Sequence, residues 1–318
     1  MTVLVDNRNL TLFDVVNTYG RDVQERFGFR VQKVAIDAGF TCPNRDGLKG
    51  RGGCTFCNNE SFSPNEGNRA SVREQLAEGK RVVHRRTGAT RFIAYFQAYS
   101  NTYERLERLR ELYEAALEDP DVMGISVGTR PDCLPDGVLE LLSEYQHRDL
   151  EVWLELGLQS AFDSTLERVN RGHTAAEYFE AAAKARAMGL KVCTHLILGL
   201  PGEDYEHWST THHRVIEAGT DGLKFHPLHV VRASLLARQW QRGEYIPLEL
   251  PTYVSAVADF LERTPSNIAI HRLTGTASLD VLLAPMWCNW KWNVLNGIER
   301  ELRRRGTCQG SALGDGLE

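Results

Sequence analysis

A chain of 318 residues, 42% apolar and 25% charged, can bury a sizeable core as one large domain or a domain with an extension. Its formal net charge of −5 argues against a general nucleic-acid binder, which is usually basic; no DNA partner is expected, and any RNA contact has to come from a local patch. No apolar run reaches the roughly 18 residues of a membrane span, and the opening MTVLVDNRNL lacks a leader pattern, so a cytoplasmic protein without a membrane partner is expected.

Residues 1–30 read as a helical lead-in. Short β-branched runs then recur: KVAID (33–37), RFIAYFQ (91–97), VMGISVGT (122–129), LEVWLELGLQ (150–159), KVCTHLILGL (191–200) and DGLKFHPLHV (221–230). Helical stretches alternate with them over 72–85, 102–117, 136–146, 163–169, 176–189 and 210–219. Strands alternating with helices imply a parallel sheet with crossover helices. The fold class expected is α/β, a partial (β/α)6 TIM-like barrel over residues 31–235. Ligands of such sheets gather at the C-terminal strand ends. Residues 236–318 read as a smaller, mostly helical extension, a lid or substrate-side subdomain with helices over 252–264 and 293–306.

Seven cysteines in a chain too long for a small disulfide scaffold point to reduced thiols, with clustered ones available as metal ligands. TCPNRDGLKGRGGCTFC follows the first strand and spaces Cys42, Cys54 and Cys57 as C-x11-C-x2-C. Three thiolates leave one iron of a four-iron cluster without a protein ligand, open to the amino and carboxylate groups of a methionine moiety. Thiolates also suit soft iron. Gly47, Gly50, Gly52 and Gly53 let the loop wrap closely around an inorganic core. A structural zinc site is one alternative, although zinc sites usually close with four ligands, often two C-x2-C pairs. Only one such pair exists here, and Cys133, Cys193, Cys288 and Cys308 stand alone. Buried, unliganded thiols are the other alternative.

The loop resembles the cluster loop of the radical S-adenosylmethionine (SAM) superfamily. Its spacing is longer than the common C-x3-C-x2-C and similar to that of the Elongator catalytic subunit. The whole chain resembles the YhcC-type bacterial branch through FTCPNRDG (40–47), GRGGCTFCN (50–58), AYFQAYSNT (94–102), VGTRPDCLPD (127–136), EVWLELGLQS (151–160), NRGHT (170–174), HLILGLPGE (195–203), LAPMWC (283–288) and QGSALG (309–314). The resemblance implies an enzyme with a [4Fe-4S] cluster on Cys42, Cys54 and Cys57, which cleaves SAM reductively to a 5′-deoxyadenosyl radical inside the barrel. It also implies a one-electron donor such as flavodoxin or ferredoxin.

The resemblance further assigns strand-end residues to SAM. Gln97 and the 97–101 backbone stand where the superfamily's GGE segment contacts the amino end. Gln159 and Arg171 are spaced like a SAM-binding pair of the oxygen-independent coproporphyrinogen oxidase type, and Glu155 shares a strand face with Gln159. His195 stands where an acidic residue holds ribose, and Gly199 and Gly202 would let adenine lie close to the strand. Arg130 and Asp132 are candidates to position substrate or SAM, or else a structural pair. Lys224, His226 and His229 are substrate-side candidates. WCNWKW (287–292) suits nucleobase stacking or a hydrophobic lid. Arg300 and Arg303–Arg305 suit phosphates or a helix C-terminus. The Elongator likeness points to transfer RNA, at a wobble-uridine side chain, without acetyl transfer, because residues 236–318 leave no room for that domain. A small-molecule metabolite is the alternative substrate. A zinc-stabilised RNA-binding module without catalysis is the alternative class.

Overall fold

The computed structural model describes residues 11–58 and 70–314; residues 1–10 of the expected lead-in and 315–318 of the extension lie outside them. Two helices, α1 (Leu12–Val15) and α2 (Tyr19–Phe27), precede the sheet. The strands β1 (Val31–Ile36), β2 (Arg91–Phe96), β3 (Val122–Thr129), β4 (Glu151–Gln159), β5 (Lys191–Leu198) and β6 (Gly222–Pro227) pair in parallel and in sequence order. A short helix, α3 (Pro43–Asp46), and then α4 (Val72–Thr87) follow β1. The further crossovers are α5 (Leu106–Leu117), α6 (Asp136–Gln146), α7 (Asp163–Arg168) with α8 (Ala175–Ala187), and α9 (Tyr205–Glu217).

Local chemistry sets these boundaries. Ser71 and Glu74 form a capping box at the start of α4, Thr174 and Glu177 form one at α8, and left-handed Gly88 ends α4. Along β4, Val152, Leu154, Leu156 and Leu158 face the helices and join the main core, while Trp153, Glu155, Gly157 and Gln159 face the other side. Burying each of those leucines contributes about 1.5–3 kcal/mol.

The expected run over 221–230 divides. β6 ends at Pro227, which lacks the N–H needed to continue a ladder. Val230–Val231 (β7) pairs instead with Leu282–Ala284 (β9), antiparallel. A seventh parallel strand, β8 (Ala269–Arg272), also joins β6, so the six expected strands become seven.

The sheet curls into a half-barrel. Lys33 on β1 reaches Glu155 on β4 at 2.6 Å, and Lys224 on β6 reaches the Tyr95 hydroxyl on β2 at 2.9 Å, although neither pair of strands is adjacent. An apolar layer of Val31, Ile93, Trp153, Cys193 and Ala269, plugged by Tyr19 and Val23 of α2, forms the floor. The extension supplies α10 (Leu235–Gln241) and a packed pair, α11 (Leu250–Glu262) and α12 (Lys291–Arg305). Its basic helix end is spent on ion pairs: Arg303 with Glu299 and Arg304 with Glu301, each at 2.8 Å, and Arg305 with Asp259 and Glu262. No helix among the described residues is long and apolar enough to cross a membrane.

Candidate active site

The loop after β1 docks onto the segment that follows α7. Asn44 Nδ2 donates to the Asn170 carbonyl at 2.5 Å, Asn170 Nδ2 donates to the Gly53 carbonyl at 2.8 Å, and Thr55 N–H donates to the Val169 carbonyl at 2.9 Å. The start of α10 braces the same loop, with Leu236 N–H donating to the Thr55 carbonyl at 2.8 Å. These bonds bring Arg171 against the cysteines. Its Nη1 lies 3.7 Å from Cys54 Sγ, and Arg45 Nη1 lies 3.7 Å from Cys57 Sγ. Burial pushes the Cys57 thiol up to about 11, against the pull of Arg45.

Cys42, Cys54 and Cys57 line one cavity of about 230 Å³ at the C-terminal strand ends. Gln97, Arg130, Gln159, Arg171, His195, His226 and His229 share its wall. Two of its non-glycine residues have left-handed backbones, Tyr99 at φ 59° and Gln159 at φ 76°. Such a conformation costs of order 1–3 kcal/mol and clusters at functional sites. At Gly157 a Cβ would lie 2.6 Å from both Arg171 Nη2 and Gln159 Nε2, so a side chain there would displace those groups from their present places. Arg171 Nη2 donates to the Gly157 carbonyl at 2.7 Å, and Nε donates to His173 Nε2 at 2.8 Å. Burial and the Arg171 charge lower His173 to about 3, so its ring stays neutral and can accept that bond.

Beneath the cavity lies a buried charge network. Glu155, fully buried, takes Lys33 and Ser126 on Oε1, each at 2.6 Å, and Lys224 and His195 on Oε2, the latter at 2.8 Å. Burial would raise the Glu155 carboxyl, but the Lys224 and Lys33 ammonium groups override it and hold it well below the usual range. Burial lowers Lys224 to about 8, against the attraction of Glu155, so both groups are ionised at neutral pH. Burial and Lys224 lower His195 to about 4. A carboxylate can only accept, so neutral His195 carries its proton on Nε2 and presents Nδ1 as an acceptor.

Lys224, Asp132, Gly199 and Gly202 are not on the cavity wall. Lys224 sits below it, held by Glu155 and Tyr95, because inward parity on β6 aims it at the interior. Asp132 is committed to a bidentate pair with Arg130, both bonds 2.9 Å, and to Lys49 at 2.7 Å. Gly199 faces away: a Cβ there would lie 2.9 Å from Leu248 Cγ, and its carbonyl accepts from Tyr245. Gly202 likewise faces Arg168. Arg130 itself lines the cavity and also donates to the Arg171 carbonyl at 2.7 Å. Sequence reasoning missed Asn44, Arg45, Lys33 and Arg272. The first two sit beside Cys42 in CPNRDG and were within reach; Lys33 and Arg272 carry no local signal. No three His, Cys, Asp or Glu side chains among the described residues converge on one metal ion, as a zinc site with bonds near 2.3 Å requires.

Comparison with known proteins identifies the family. The profile of the Radical SAM superfamily matches residues 42–215, and that of the Radical_SAM C-terminal domain matches residues 220–304. Protein YhcC of Escherichia coli K12 is 46% identical over 305 residues, covering 96% of this chain and 97% of YhcC. A tRNA uridine(34) acetyltransferase of Dehalococcoides mccartyi is 30% identical over 154 residues, 48% of this chain and 33% of that protein. The structure of an N-terminally deleted archaeal Elp3 from Methanocaldococcus infernus superposes with a TM-score of 0.62 at 16% identity, covering 88% of this chain and 64% of that one; at that identity it shows the shared fold. On this coverage the chain belongs to the radical SAM superfamily and is a radical SAM enzyme, with a [4Fe-4S] cluster and SAM as its cofactors.

Proposed function

We propose that the cavity holds the cluster on Cys42, Cys54 and Cys57 beside SAM, and that the chain modifies a uridine of transfer RNA in the cytoplasm. A one-electron donor such as flavodoxin or ferredoxin completes the system. One observation carries the reading: the three thiols share a single cavity with Gln97, Gln159, Arg171 and His195. The donor set fits a cluster. Thiols suit soft iron, and N–H groups of Asn44, Arg45 and Arg171 lie 3.7–3.9 Å from the sulfurs, where they favour thiolate charge.

When bound, the cluster and SAM supply one-electron cleavage of the sulfonium and a radical that abstracts hydrogen. The chain's residues bind and orient. Arg171 gives Nε to His173 and one Nη2 hydrogen to the Gly157 carbonyl, and its remaining N–H groups suit a carboxylate. Gln97, just past β2, and Gln159, at the end of β4, carry amide groups on the same cavity wall. His195 Nδ1 accepts a ribose hydroxyl, a task that a carboxylate could also perform. The curled sheet and the extension keep water and stray hydrogen donors out.

Arg171→Ala is expected to weaken SAM binding roughly ten- to hundredfold, since a charge-assisted hydrogen bond contributes about 1.5–3 kcal/mol. Equilibrium binding to reconstituted protein measures this. Unchanged affinity would leave Arg171 as a docking strut for the cysteine loop.

Transfer RNA is supported by the half-chain likeness to a tRNA uridine(34) acetyltransferase. It is supported also by Trp290 and Trp292, 53% and 68% exposed, with Lys291 between them. A base stacked on such a ring contributes about 1–3 kcal/mol. Nucleosides of bulk transfer RNA from a deletion strain should lack, or accumulate, one uridine derivative. Trp290→Ala should reduce turnover on RNA with the melting temperature unchanged. Identical nucleosides, and no RNA binding at low salt, would move the substrate to a small metabolite.

A further inference from the structure

The β8 side of the cavity carries charge that the described residues do not balance. A register slip between β6 and β8 sets Arg272 opposite Lys224, and its side chain lines the cavity with His226, His229 and Gly275. The other guanidinium groups on the wall are engaged: Arg45 with Cys57 at 3.7 Å, Arg130 with Asp132 at 2.9 Å, and Arg171 with the Gly157 carbonyl at 2.7 Å. Among the described residues the Arg272 guanidinium makes no hydrogen bond and no ion pair, while its backbone pairs within the sheet. The one carboxylate on this wall, Glu155, is already shared by Lys33 and Lys224. Three cations therefore face a single anion in a partly buried interior, an arrangement that is costly unless a further anion joins it.

The surroundings are those of a built site. Nε2 of His226 and Nε2 of His229 are buried without a partner among the described residues. Both imidazoles are held neutral, chiefly by burial, so they add polar groups without adding charge. Gly275 has no room for a side chain, because a Cβ would lie 2.9 Å from His226 Nδ1 and 3.2 Å from His229 Cε1. The bare backbone lets both rings pack beside Arg272.

We propose that Arg272 binds an oxyanion, a carboxylate or phosphate carried by the substrate, with His226 and His229 completing the subsite. A guanidinium fork matches two oxygens of such a group and holds it in one orientation. The assignment rests on the cavity being the reaction site, and it adds that the group drawn into the half-barrel is anionic. The methionine carboxylate of SAM is the other source of the same chemistry.

The test uses protein reconstituted with cluster and saturated with SAM. Inorganic phosphate and malonate are titrated by calorimetry into wild type, Arg272→Gln and Arg272→Lys. SAM affinity is measured separately in each. Saturable binding of at least one anion is expected in wild type, weakened about tenfold or more in Arg272→Gln, as loss of a charge-assisted contact implies, and less in Arg272→Lys. Failure of both anions to saturate, or equal binding by Arg272→Gln, would overturn the assignment. So would a fall in SAM affinity of the same size, which would give the guanidinium to the methionine carboxylate. If Arg272→Gln does not hold the cluster, Arg272→Lys decides, and unchanged anion affinity there overturns it. Neither RNA nor turnover enters the measurement, so a failure of the transfer-RNA reading and a failure here are told apart.

Discussion

Replacing Cys42, Cys54 or Cys57 by alanine should abolish iron and sulfide binding, whereas the wild type reconstituted without oxygen should hold about four of each per chain. The expectation rests on placement. These three thiols line the cavity, and no other cysteine does. Cys193 lies in the apolar floor beside Trp153 and Ala269. Cys133 and Cys288 are buried elsewhere, and burial raises the thiols of all three. Cys308 is exposed at the far end of the chain. Alanine at any of these four should leave the iron and sulfide content and the broad cluster absorbance intact. Loss of the cluster in Cys193→Ala or Cys133→Ala with the fold preserved would mean that the ligand set is wrong.

Glu155→Ala should lower the stability of the protein by about 3–5 kcal/mol, because it leaves Lys33 and Lys224 buried with no counter-charge. Denaturant unfolding measures the loss. Removing both sides of the network separates its two roles. Replacing a buried ionic group entirely by apolar residues of similar volume is often neutral, so Lys33→Met, Glu155→Leu and Lys224→Met together should recover much of the stability. That triple variant should still bind SAM more weakly than wild type, because nothing then fixes the His195 tautomer. Full recovery of SAM affinity would show that His195 does not depend on Glu155 for its orientation.

Much of this architecture could be read from residue order alone, for local reasons. Ser71 with Glu74 and the closing Gly88 frame α4, and the apolar runs of β2 to β5 announce buried strands. What escaped was non-local. β8 is four residues long and half of it is His271 and Arg272, so neither length nor period marks it as a strand. Missing β8 meant missing Arg272. Lys224 reads as a substrate-side residue from the sequence, because its parity against Lys33, Tyr95 and Glu155 is visible only once β1, β2, β4 and β6 curl around one interior. Gly199 was read as space for a ligand, and the turn there is real at φ 91°, but Leu248 from the extension occupies the space. The cysteines were readable because their spacing is itself the signal, while the dependence of Arg171 on Asn44 and Asn170 emerges only from the docked loops.

The most direct test is the formation of 5′-deoxyadenosine. Reconstituted protein given dithionite and SAM without oxygen should release it, slowly when no substrate is present, and Cys54→Ala should release none. Tightly bound stoichiometric zinc, no sulfide and no 5′-deoxyadenosine from the wild type would contradict the account.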